Sequence, residues 1–333
     1  MKSDRSVVFV SPFQAPFMED DINLLDAHYR LRKVIGHGPG AVFRIVYNLL
    51  YADYLFCWFA STYAFVGVFA AKFLSVKSIV TIGGVDVARD RELQYGIWLG
   101  RIKSKLVRYV FHHATVILAV DPSLKEKAKA LAAYDGSNIR YVPTGYDPEF
   151  WKPLNDKKRI VLTAARVRDR RTALVKGLDT LVEAAWKMPE VNFIVVGIDP
   201  HIAVTLRPPT NMEMLAPVDR RMLLPWYRNA KVYCQPSRHE GLSNALCEAM
   251  LCGCVPVATE VGGNPTAVGA EGFLVPSQNV DALIVALRKA LGSPETFGEK
   301  ARARIVSLFP KQKRESDLLH ILGSFEELPE KAR

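Results

Sequence analysis

Short apolar runs alternate with longer helical patterns along most of the chain, and this alternation limits the fold more than any other feature of the sequence. Nine runs have the length and the branched or aromatic side chains of buried strands. Parallel strands joined by helical crossovers produce such a pattern. The predicted strands are 7–10, 54–59, 78–82, 115–120, 139–142, 160–163, 192–196, 232–235 and 255–258, and the main predicted helices are 95–113, 122–133, 178–187, 243–252 and 279–291.

A polar segment near the middle of the chain predicts a domain boundary. Residues 143–158 hold three prolines and show no apolar period, and 333 residues are enough for two domains. We therefore predict an N-terminal Rossmann-like domain over 1–146 and a second one over 155–310. A helical tail at 311–333, too polar for a core element, is expected to pack back on the N-terminal domain.

One uncharged stretch allows two interpretations. The eighteen residues between Asp53 and Lys72 approach the length of about 20 residues that crosses a bilayer. The pair Ser61-Thr62 interrupts the stretch with a typical helix start. A strand at 54–59, a helix from 62 and a strand at 78–82 explain it as well, because buried parallel strands are apolar on both faces. We favour the strand–helix–strand unit over a membrane span.

The composition excludes several classes of protein. Apolar residues make up 49% and charged residues 23% of the chain, which is typical of a globular enzyme and excludes disorder, collagen and a disulfide scaffold. The five cysteines are predicted to be buried free thiols of a cytoplasmic protein. A net charge of +10 favours anionic partners, which include nucleic acid, lipid and phosphorylated small molecules. No nucleic-acid-binding motif is recognisable, so nucleic acid is not a predicted partner.

The most informative segment, 234–268, places two glutamates around the start of a helix. Glu240 lies in the loop after the strand 232–235, and Glu248 lies on the second turn of the helix that begins near Ser243. Ligands of open α/β sheets bind at the carboxyl ends of the strands. The spacing suits two carboxylates that bind hydroxyl groups at separate places on one long ligand. Ordinary surface glutamates on an exposed helix are the alternative.

Basic residues follow another strand of the same half. Arg166 ends the run 160–166, and Lys176 precedes the helix that starts at Leu178. A guanidinium and an ammonium group at one sheet edge suit a diphosphate without a metal ion. Arg166 and its neighbours could also be solvated loop charges.

The N-terminal half has a smaller candidate site after the strand 78–82. Gly83 and Gly84 allow a ligand to approach the backbone, and Asp86 supplies one carboxylate. A structural tight turn explains these three residues equally well.

These motifs together resemble the retaining glycosyltransferases of the GT-B fold, in family 4 (glycosyl transferases group 1). The family signature of two glutamates separated by seven residues stands here as Glu240–Glu248. Further matches are Tyr227–Ala230, Glu271–Pro276 and the linker 142–147. The resemblance implies an α/β protein with two Rossmann-like domains facing a cleft, with the nucleotide-sugar held mainly by the C-terminal domain.

The resemblance also implies roles for individual residues. Glu248 would bind the ribose hydroxyls of the donor, and Glu240 the donor sugar. Backbone N–H groups of Gly241 and Leu242 would face the sugar and the distal phosphate. The other carried-over residues are Ser243, Asn244 and Gly84 for donor binding, and Arg166, Lys176 and Asp86, which together with Glu240 form the predicted catalytic set.

The sequence departs from the family in places. Gly83 stands where the family commonly has a histidine, so the role of that histidine is missing or supplied elsewhere. The loop 167–175 between Arg166 and Lys176 is longer than usual. In the N-terminal loop, Phe13 and Gln14 are candidate acceptor contacts.

A basic stripe within the predicted helix 95–113 adds candidate acceptor residues. Arg101, Lys105, Arg108 and His112 recur at helical spacing beside apolar residues. The stripe would suit a lipid-linked phosphate acceptor or an anionic membrane surface, and a solvated helix face is the alternative.

The predicted function is transfer of a hexose, with retention, from a UDP- or GDP-sugar to a glycan or lipid-linked hydroxyl. The predicted partners are therefore a nucleotide-sugar, such an acceptor and an anionic membrane surface. We expect no cofactor and no metal, and we expect the enzyme in the cytoplasm or at the inner face of the cell membrane. The alternatives are a non-hydrolysing nucleotide-sugar epimerase of the same fold and a basic protein that binds membranes or nucleic acid without catalysis.

Overall fold

The computed structural model describes residues 2–154 and 157–326. The chain divides into two compact units. One unit runs to Gly145 and includes the segment from Lys311, and the other is Tyr146–Pro310. The predicted boundary residue 155 and the end of the predicted tail, 327–333, lie outside the described residues.

The first unit is built on a parallel sheet of six strands. The strands are β1 (Ser6–Ser11), β2 (Arg30–Ile35), β3 (Tyr54–Trp58), β4 (Lys77–Ile82), β5 (Val116–Ala119) and β6 (Ile139–Tyr141). Their order in the sheet is β2-β1-β3-β4-β5-β6. The helices are α1 (Glu19–His28), α2 (Pro39–Leu49), α3 (Thr62–Phe73), α4 (Arg101–His113) and α5 (Pro122–Ala132), with short 3-10 turns at Pro16–Met18, Val85–Val87 and Ile97–Leu99.

The uncharged stretch after Asp53 forms the predicted strand–helix–strand unit. Every residue of β3 is buried, and α3 begins after Ser61, whose side chain accepts a hydrogen bond from the Ala64 N–H at 3.3 Å. Within residues 2–154 and 157–326, no helix has both the length and the apolarity needed to cross a bilayer.

The second unit has the same architecture. Its strands are β7 (Lys158–Val167), β8 (Asn192–Ile198), β9 (Met212–Leu215), β10 (Ala230–Gln235), β11 (Val255–Thr259) and β12 (Phe273–Val275), which pair in parallel in the order β12-β11-β10-β7-β8-β9. The helices are α6 (Arg170–Val175), α7 (Leu178–Trp186), α8 (Pro200–Leu206), α9 (Leu224–Asn229), α10 (Asn244–Leu251), α11 (Asn264–Val268), α12 (Val280–Gly292) and α13 (Thr296–Leu308), with a 3-10 turn at Arg220–Leu223.

Branched and aromatic side chains from the sheet and helices form the core of the second unit. Val195 of β8, Leu181 of α7 and Leu287 of α12 belong to one buried cluster. Each unit is thus a Rossmann-like α/β domain, as the alternation in the sequence predicts. All five cysteines are buried and free, which is also as predicted.

The last helix, α14 (Lys311–Glu326), belongs to the first unit. Its Arg314 is 5% exposed and binds the Asp21 carboxylate through two nitrogens, at 2.7 and 2.6 Å. Leu318 and Leu322 are also buried. The expectation that this segment is too polar for a core element is therefore wrong, because buried leucines and a neutralised arginine alternate with exposed charges.

Two differences from the sequence prediction concern the first unit. The strand β2 was not predicted, because it lies at the sheet edge and exposes Arg30, Arg32 and Lys33 in place of an apolar run. The helix predicted to begin at 95 begins at Arg101, after a 3-10 turn that starts beyond Gly96, a glycine with a φ of 105°.

Candidate functional site

In the second unit, the predicted site residues gather at the carboxyl edge of the sheet. The strands β7 and β10 are neighbours and run parallel. Arg166 is exposed near the end of β7, Lys176 lies directly after α6, and Glu240 lies in the loop that follows β10. The region 167–175, predicted as a loop, contains the short helix α6.

The Glu240 carboxylate is held in an asymmetric way. Its Oε1 accepts hydrogen bonds from Lys176 Nζ at 2.6 Å, Gln235 Nε2 at 2.8 Å and Ser237 Oγ at 2.7 Å. Its Oε2 has no hydrogen-bond partner among the residues that the structure describes, and 9% of the side chain is exposed. The site therefore fixes the carboxylate through one oxygen and leaves the other as an acceptor for a ligand.

Buried polar groups orient Gln235, which the sequence analysis did not identify as part of the site. Gln235 Oε1 accepts a hydrogen bond from Ser243 Oγ at 3.1 Å, and the Tyr233 hydroxyl lies 3.1 Å from the same atom. Burial raises the pKa of Tyr233 well above its usual value, so its hydroxyl keeps its proton. The oriented amide then donates from Nε2 to Glu240 Oε1 and to Ser237 Oγ, each at 2.8 Å.

Close backbone contacts fix the loop that carries Glu240. Gly177 has a φ of 65°, and a Cβ atom there would collide with the carbonyl oxygen of Pro236. On the other side, the Gly263 N–H donates to the Gly241 carbonyl at 2.6 Å. Arg238 forms an ion pair with Asp179 of α7. The loop is therefore packed between the segments that follow β7 and β11.

The residues between Glu240 and α10 combine free N–H groups with engaged side chains. In the described part of the chain, the backbone N–H groups of Gly241 and Leu242 donate to no protein acceptor. Ser243 caps α10 by accepting a hydrogen bond from the Leu246 N–H at 3.3 Å. The Asn244 side chain accepts one from the Tyr146 hydroxyl at 2.8 Å. An anion or a sugar oxygen would meet the free N–H groups first.

Glu248 does not lie open to a ligand in this structure. It is 2% exposed, and its Oε1 accepts a hydrogen bond from Arg220 Nε at 2.6 Å. The Tyr227 hydroxyl lies 3.4 Å from its Oε2, and burial raises the pKa of Tyr227 well above its usual value. Arg220 also lies over the Trp151 ring, 5.7 Å from its centre. Arg220 is not recognisable as a site residue from the sequence alone, because nothing in its spacing marks it.

Three other arginines near α6 form no hydrogen bond or ion pair with Glu240 within the residues that the structure describes. Arg168, Arg170 and Arg171 are all exposed. Their exposure fits solvated loop charges, which is one of the two interpretations that the sequence left open.

In the first unit, Asp86 has a structural position. It is 1% exposed, and its carboxylate accepts hydrogen bonds from the backbone N–H groups of Ala60, Gly83 and Gly84 at 2.8–3.2 Å. Burial raises its pKa to about 6, although these hydrogen bonds oppose the rise. The carboxylate therefore holds a tight turn, and the catalytic role of Asp86 stays a prediction.

The space beside Gly83 is filled by an aromatic ring. A Cβ atom on Gly83 would lie 2.7 Å from Cε1 of Phe59, and Phe59 has the unusual φ of 68°. The Phe59 ring also packs against Phe13, with 5.3 Å between ring centres. Phe13 is 46% exposed, and Gln14 is exposed as well. Gly84, with a φ of 129°, requires the conformational freedom of glycine.

The basic stripe of α4 is only partly free. Arg101 and Lys105 are exposed, whereas Arg108 donates to the Leu131 carbonyl at 3.3 Å and His112 lies 3.1 Å from the Ala132 carbonyl. Arg108 and His112 therefore bind the end of α5. Arg101 and Lys105 are the members of the stripe that are left to meet a ligand.

Comparison with known proteins agrees with this architecture. Residues 158–293 match the family model described as glycosyl transferases group 1. The matched segment includes Arg166, Lys176, Glu240 and Glu248. The match lies within the second unit, which therefore resembles the group 1 glycosyltransferases.

The curated proteins that this chain resembles carry the names of glycosyltransferases. The D-inositol 3-phosphate glycosyltransferase of Xylanimonas cellulosilytica is 32% identical over 179 residues, which are 45% of this chain and 42% of that protein. The MMP alpha-(1->4)-mannosyltransferase of Mycolicibacterium hassiacum is 24% identical over 68% of this chain and 60% of that protein. The chain therefore spans less than two thirds of the length of these relatives.

Solved structures of low sequence identity share the fold. Sucrose-phosphate synthase from Thermosynechococcus elongatus has a TM-score of 0.79 at 17% identity, over 98% of this chain and all of that chain. Anabaena HepE in complex with UDP-glucose has a TM-score of 0.78 at 14% identity, over 97% of this chain and all of that chain. The predicted fold class, two Rossmann-like domains of the GT-B type, is confirmed.

Proposed function

We propose that the protein is a retaining glycosyltransferase that moves a hexose from a UDP- or GDP-sugar to a hydroxyl group of a glycan or lipid-linked acceptor. The observation that carries the proposal is the Glu240 carboxylate, fixed through Oε1 by Lys176, Gln235 and Ser237. A carboxylate held in this way presents Oε2 to a sugar hydroxyl with little loss of entropy on binding.

In this proposal, the donor lies along the loop from Glu240 to α10. Glu240 Oε2 accepts a hydrogen bond from a hydroxyl of the donor sugar, and the free N–H groups of Gly241 and Leu242 face the distal phosphate. Ser243 and Asn244 shape this loop through their contacts within the protein. UDP-glucose is the ligand of Anabaena HepE, and this supports a nucleotide-sugar as the class of donor.

The chemistry in this proposal is mainly electrostatic. When the bond between the sugar and the diphosphate breaks, negative charge grows on the leaving phosphate and positive charge on the sugar ring. The exposed Arg166 lies near the end of β7, Lys176, which is 26% exposed, follows α6, and the two would neutralise the phosphate charge. Two cationic side chains meet the charge of a diphosphate, so we propose that the reaction needs neither a metal nor a cofactor.

The proposed role of Glu248 depends on Arg220. The Glu248 carboxylate is too buried to reach ribose hydroxyls while Arg220 covers it. We propose that Arg220 moves towards the nucleotide when the donor binds and that Glu248 then accepts hydrogen bonds from the ribose. A carboxylate offers about four acceptor positions, so the Tyr227 contact can persist.

Acceptor contacts are proposed on the first unit. Phe13 is exposed, packs on Phe59 and offers an apolar surface for a sugar ring, and the exposed Gln14 offers an amide beside it. Arg101 and Lys105 would meet a phosphate of a lipid-linked acceptor, while the binding of Arg108 to α5 leaves it less available.

A thermal-shift panel of UDP-, GDP- and ADP-sugars tests the proposed donor class. A cognate donor at 100 times its dissociation constant should stabilise the protein by about 2.7 kcal/mol. Glu248→Ala should reduce the shift caused by the bare nucleotide. The exposed Lys187 lies at the end of α7, and Lys187→Ala serves as the matched control that keeps the shift. Absence of a shift with every sugar nucleotide would contradict the proposal.

The reaction itself is tested by the product. Anomeric proton coupling in the transferred sugar should show retained configuration. Inversion at C2 of UDP-N-acetylglucosamine without transfer would instead identify the epimerase alternative. Salt-sensitive binding of duplex or vesicles without affinity for any nucleotide-sugar would identify the non-catalytic basic protein.

A further inference from the structure

Two neighbouring helices of the first unit leave large apolar side chains in solvent. The helix α2 buries Ala41, Ile45 and Leu49 against the unit, yet residues on its other side and just beyond it are strongly exposed, as is the end of α3. We call the exposed set the α2–α3 face, and its main members are Phe43, Tyr47, Leu50, Tyr51, Phe69 and Phe73.

The rings of the α2–α3 face form two clusters, one along and just beyond α2 and one on α3. Phe43 and Tyr47 stack with 6.0 Å between ring centres, and Tyr47 meets Tyr51 at 5.7 Å. On α3, Phe69 and Phe73 lie 4.9 Å apart. Phe43 is nevertheless 69% exposed and Phe73 is 73% exposed. Exposed apolar side chains that cluster in this way mark an interaction surface, whereas single ones do not.

The segment that carries the face is mainly basic, although its Arg30 forms an ion pair with the exposed Asp4. Between residues 27 and 85 the chain carries six basic residues and a single acidic one, Asp53. Asp53 is engaged by Arg5 Nη1 at 3.0 Å and by the Ser6 N–H at 2.8 Å. The basic residues are Arg30, Arg32, Lys33, Arg44, Lys72 and Lys77. An apolar surface with basic and few acidic neighbours complements a layer of anionic headgroups.

We propose that the α2–α3 face docks on an anionic lipid bilayer. The aromatic side chains would enter the boundary between headgroups and acyl chains, and the basic residues would meet the lipid phosphates. Tyrosine suits this boundary because its ring is apolar and its hydroxyl stays wet. A second copy of the chain is a poorer occupant, because a twofold contact would bring two positive surfaces together.

The proposal extends the basic stripe predicted on α4 to a wider surface. The Tyr109 ring of α4 meets the Phe65 and Phe69 rings of α3 at 5.2 and 5.8 Å, so the two helices pack side by side. Arg101 and Lys105 of α4 are exposed and add charge of the same sign. Membrane docking on this surface does not depend on the reaction proposed above.

Vesicle co-sedimentation tests the proposal. The full chain is mixed with phosphatidylcholine vesicles or with phosphatidylcholine vesicles that contain phosphatidylglycerol, at low and high salt. We expect binding to the anionic vesicles that weakens with salt, because each basic residue near such a surface contributes about fivefold to binding. The double variant Phe43→Ser/Tyr47→Ser should bind at least about tenfold more weakly.

The control variant makes similar changes on the second unit. Trp186 and Val204 are 61% and 77% exposed there, and Trp186→Ser/Val204→Ser should bind vesicles like the unchanged protein. Far-ultraviolet circular dichroism shows that each variant is folded. Absence of binding to anionic vesicles, or equal binding by the two double variants, would overturn the proposal. So would a dimer in solution that Phe43→Ser/Tyr47→Ser converts to a monomer, if the unchanged protein binds no vesicles.

Discussion

Lys176 Nζ lies 2.6 Å from Glu240 Oε1, and this ion pair joins two segments that follow the neighbouring strands β7 and β10. The side chains are 26% and 9% exposed, so the pair is partly desolvated. In the proposed function, Lys176 supplies a cation for a phosphate and Glu240 a carboxylate for a sugar. Their contact explains how the free protein keeps both charged groups in place before a donor arrives.

The first prediction concerns Glu240→Gln, which removes the charge at almost constant shape. We expect transfer to fall by about a hundredfold or more, since the proposed role of the carboxylate is to bind the reacting sugar. The dissociation constant of the bare nucleotide should change little, because the nucleotide makes no proposed contact with Glu240. Steady-state kinetics and nucleotide titration measure the two quantities. Equal loss in both, or full transfer activity, would remove Glu240 from the proposed site.

The second prediction concerns the pair of Arg220 and Glu248. Arg220→Ala leaves the 2% exposed carboxylate without its 2.6 Å partner, so the free energy of unfolding should fall by about 3 kcal/mol. Glu248→Gln in the same chain should restore part of this loss. Urea denaturation of the two single variants and the double variant measures the coupling.

A second arginine–glutamate ion pair, which is exposed, serves as the control for this double-mutant cycle. Arg288 and Glu190 lie 3.8 Å apart and are 60% and 57% exposed, so their coupling should be below about 1 kcal/mol. Additive effects of the Arg220 and Glu248 variants would show that the buried pair is not coupled.

The sequence predicts the edge on which the C-terminal site lies but not all of its members. Arg166, Lys176 and Glu240 each follow a recognisable strand or precede a helix, and parallel strands bring such positions together. Arg220 lies 28 residues before its partner Glu248, in a segment without a period. Only the tertiary structure shows that its side chain crosses to α10.

The sequence also did not predict the helix α2, because apolar residues occupy part of its exposed surface. The helix α2 has an apolar side in the core and a second apolar side in solvent, so its pattern lacks the polar face expected of a surface helix. Phe59 is a similar case, because nothing in a sequence marks a phenylalanine with a φ of 68°.

The third prediction concerns Gly83 and Phe59. A Cβ atom on Gly83 would lie 2.7 Å from the Phe59 ring, so Gly83→Ala should lower the free energy of unfolding by about 1–3 kcal/mol. Phe59→Ala removes the ring and with it the clash. The double variant should therefore be more stable than the sum of the single effects predicts. Thermal and urea unfolding check this, and strictly additive effects would show that the ring does not occupy the space beside Gly83.

The fourth prediction concerns the pH dependence of stability through Asp86. Burial raises its pKa in the folded protein to about 6, from the ordinary value of 3.8. Between these two values the folded state binds more protons than the unfolded state, so this group destabilises the fold increasingly as the pH rises. Between pH 5 and pH 7 the loss should be about 1 kcal/mol.

Asp86→Asn isolates this contribution, because asparagine does not titrate. We expect the variant to be less stable at both pH 5 and pH 7, since its amide group cannot accept every hydrogen bond from the Ala60, Gly83 and Gly84 N–H groups. The difference in unfolding free energy between the unchanged protein and the variant should be larger at pH 5 than at pH 7. Asp26→Asn, at a carboxyl group that is 65% exposed, is measured in parallel as the surface control for loss of a carboxylate. A difference for Asp86→Asn that stays constant between pH 5 and pH 7 would show that the carboxyl group does not titrate in this range.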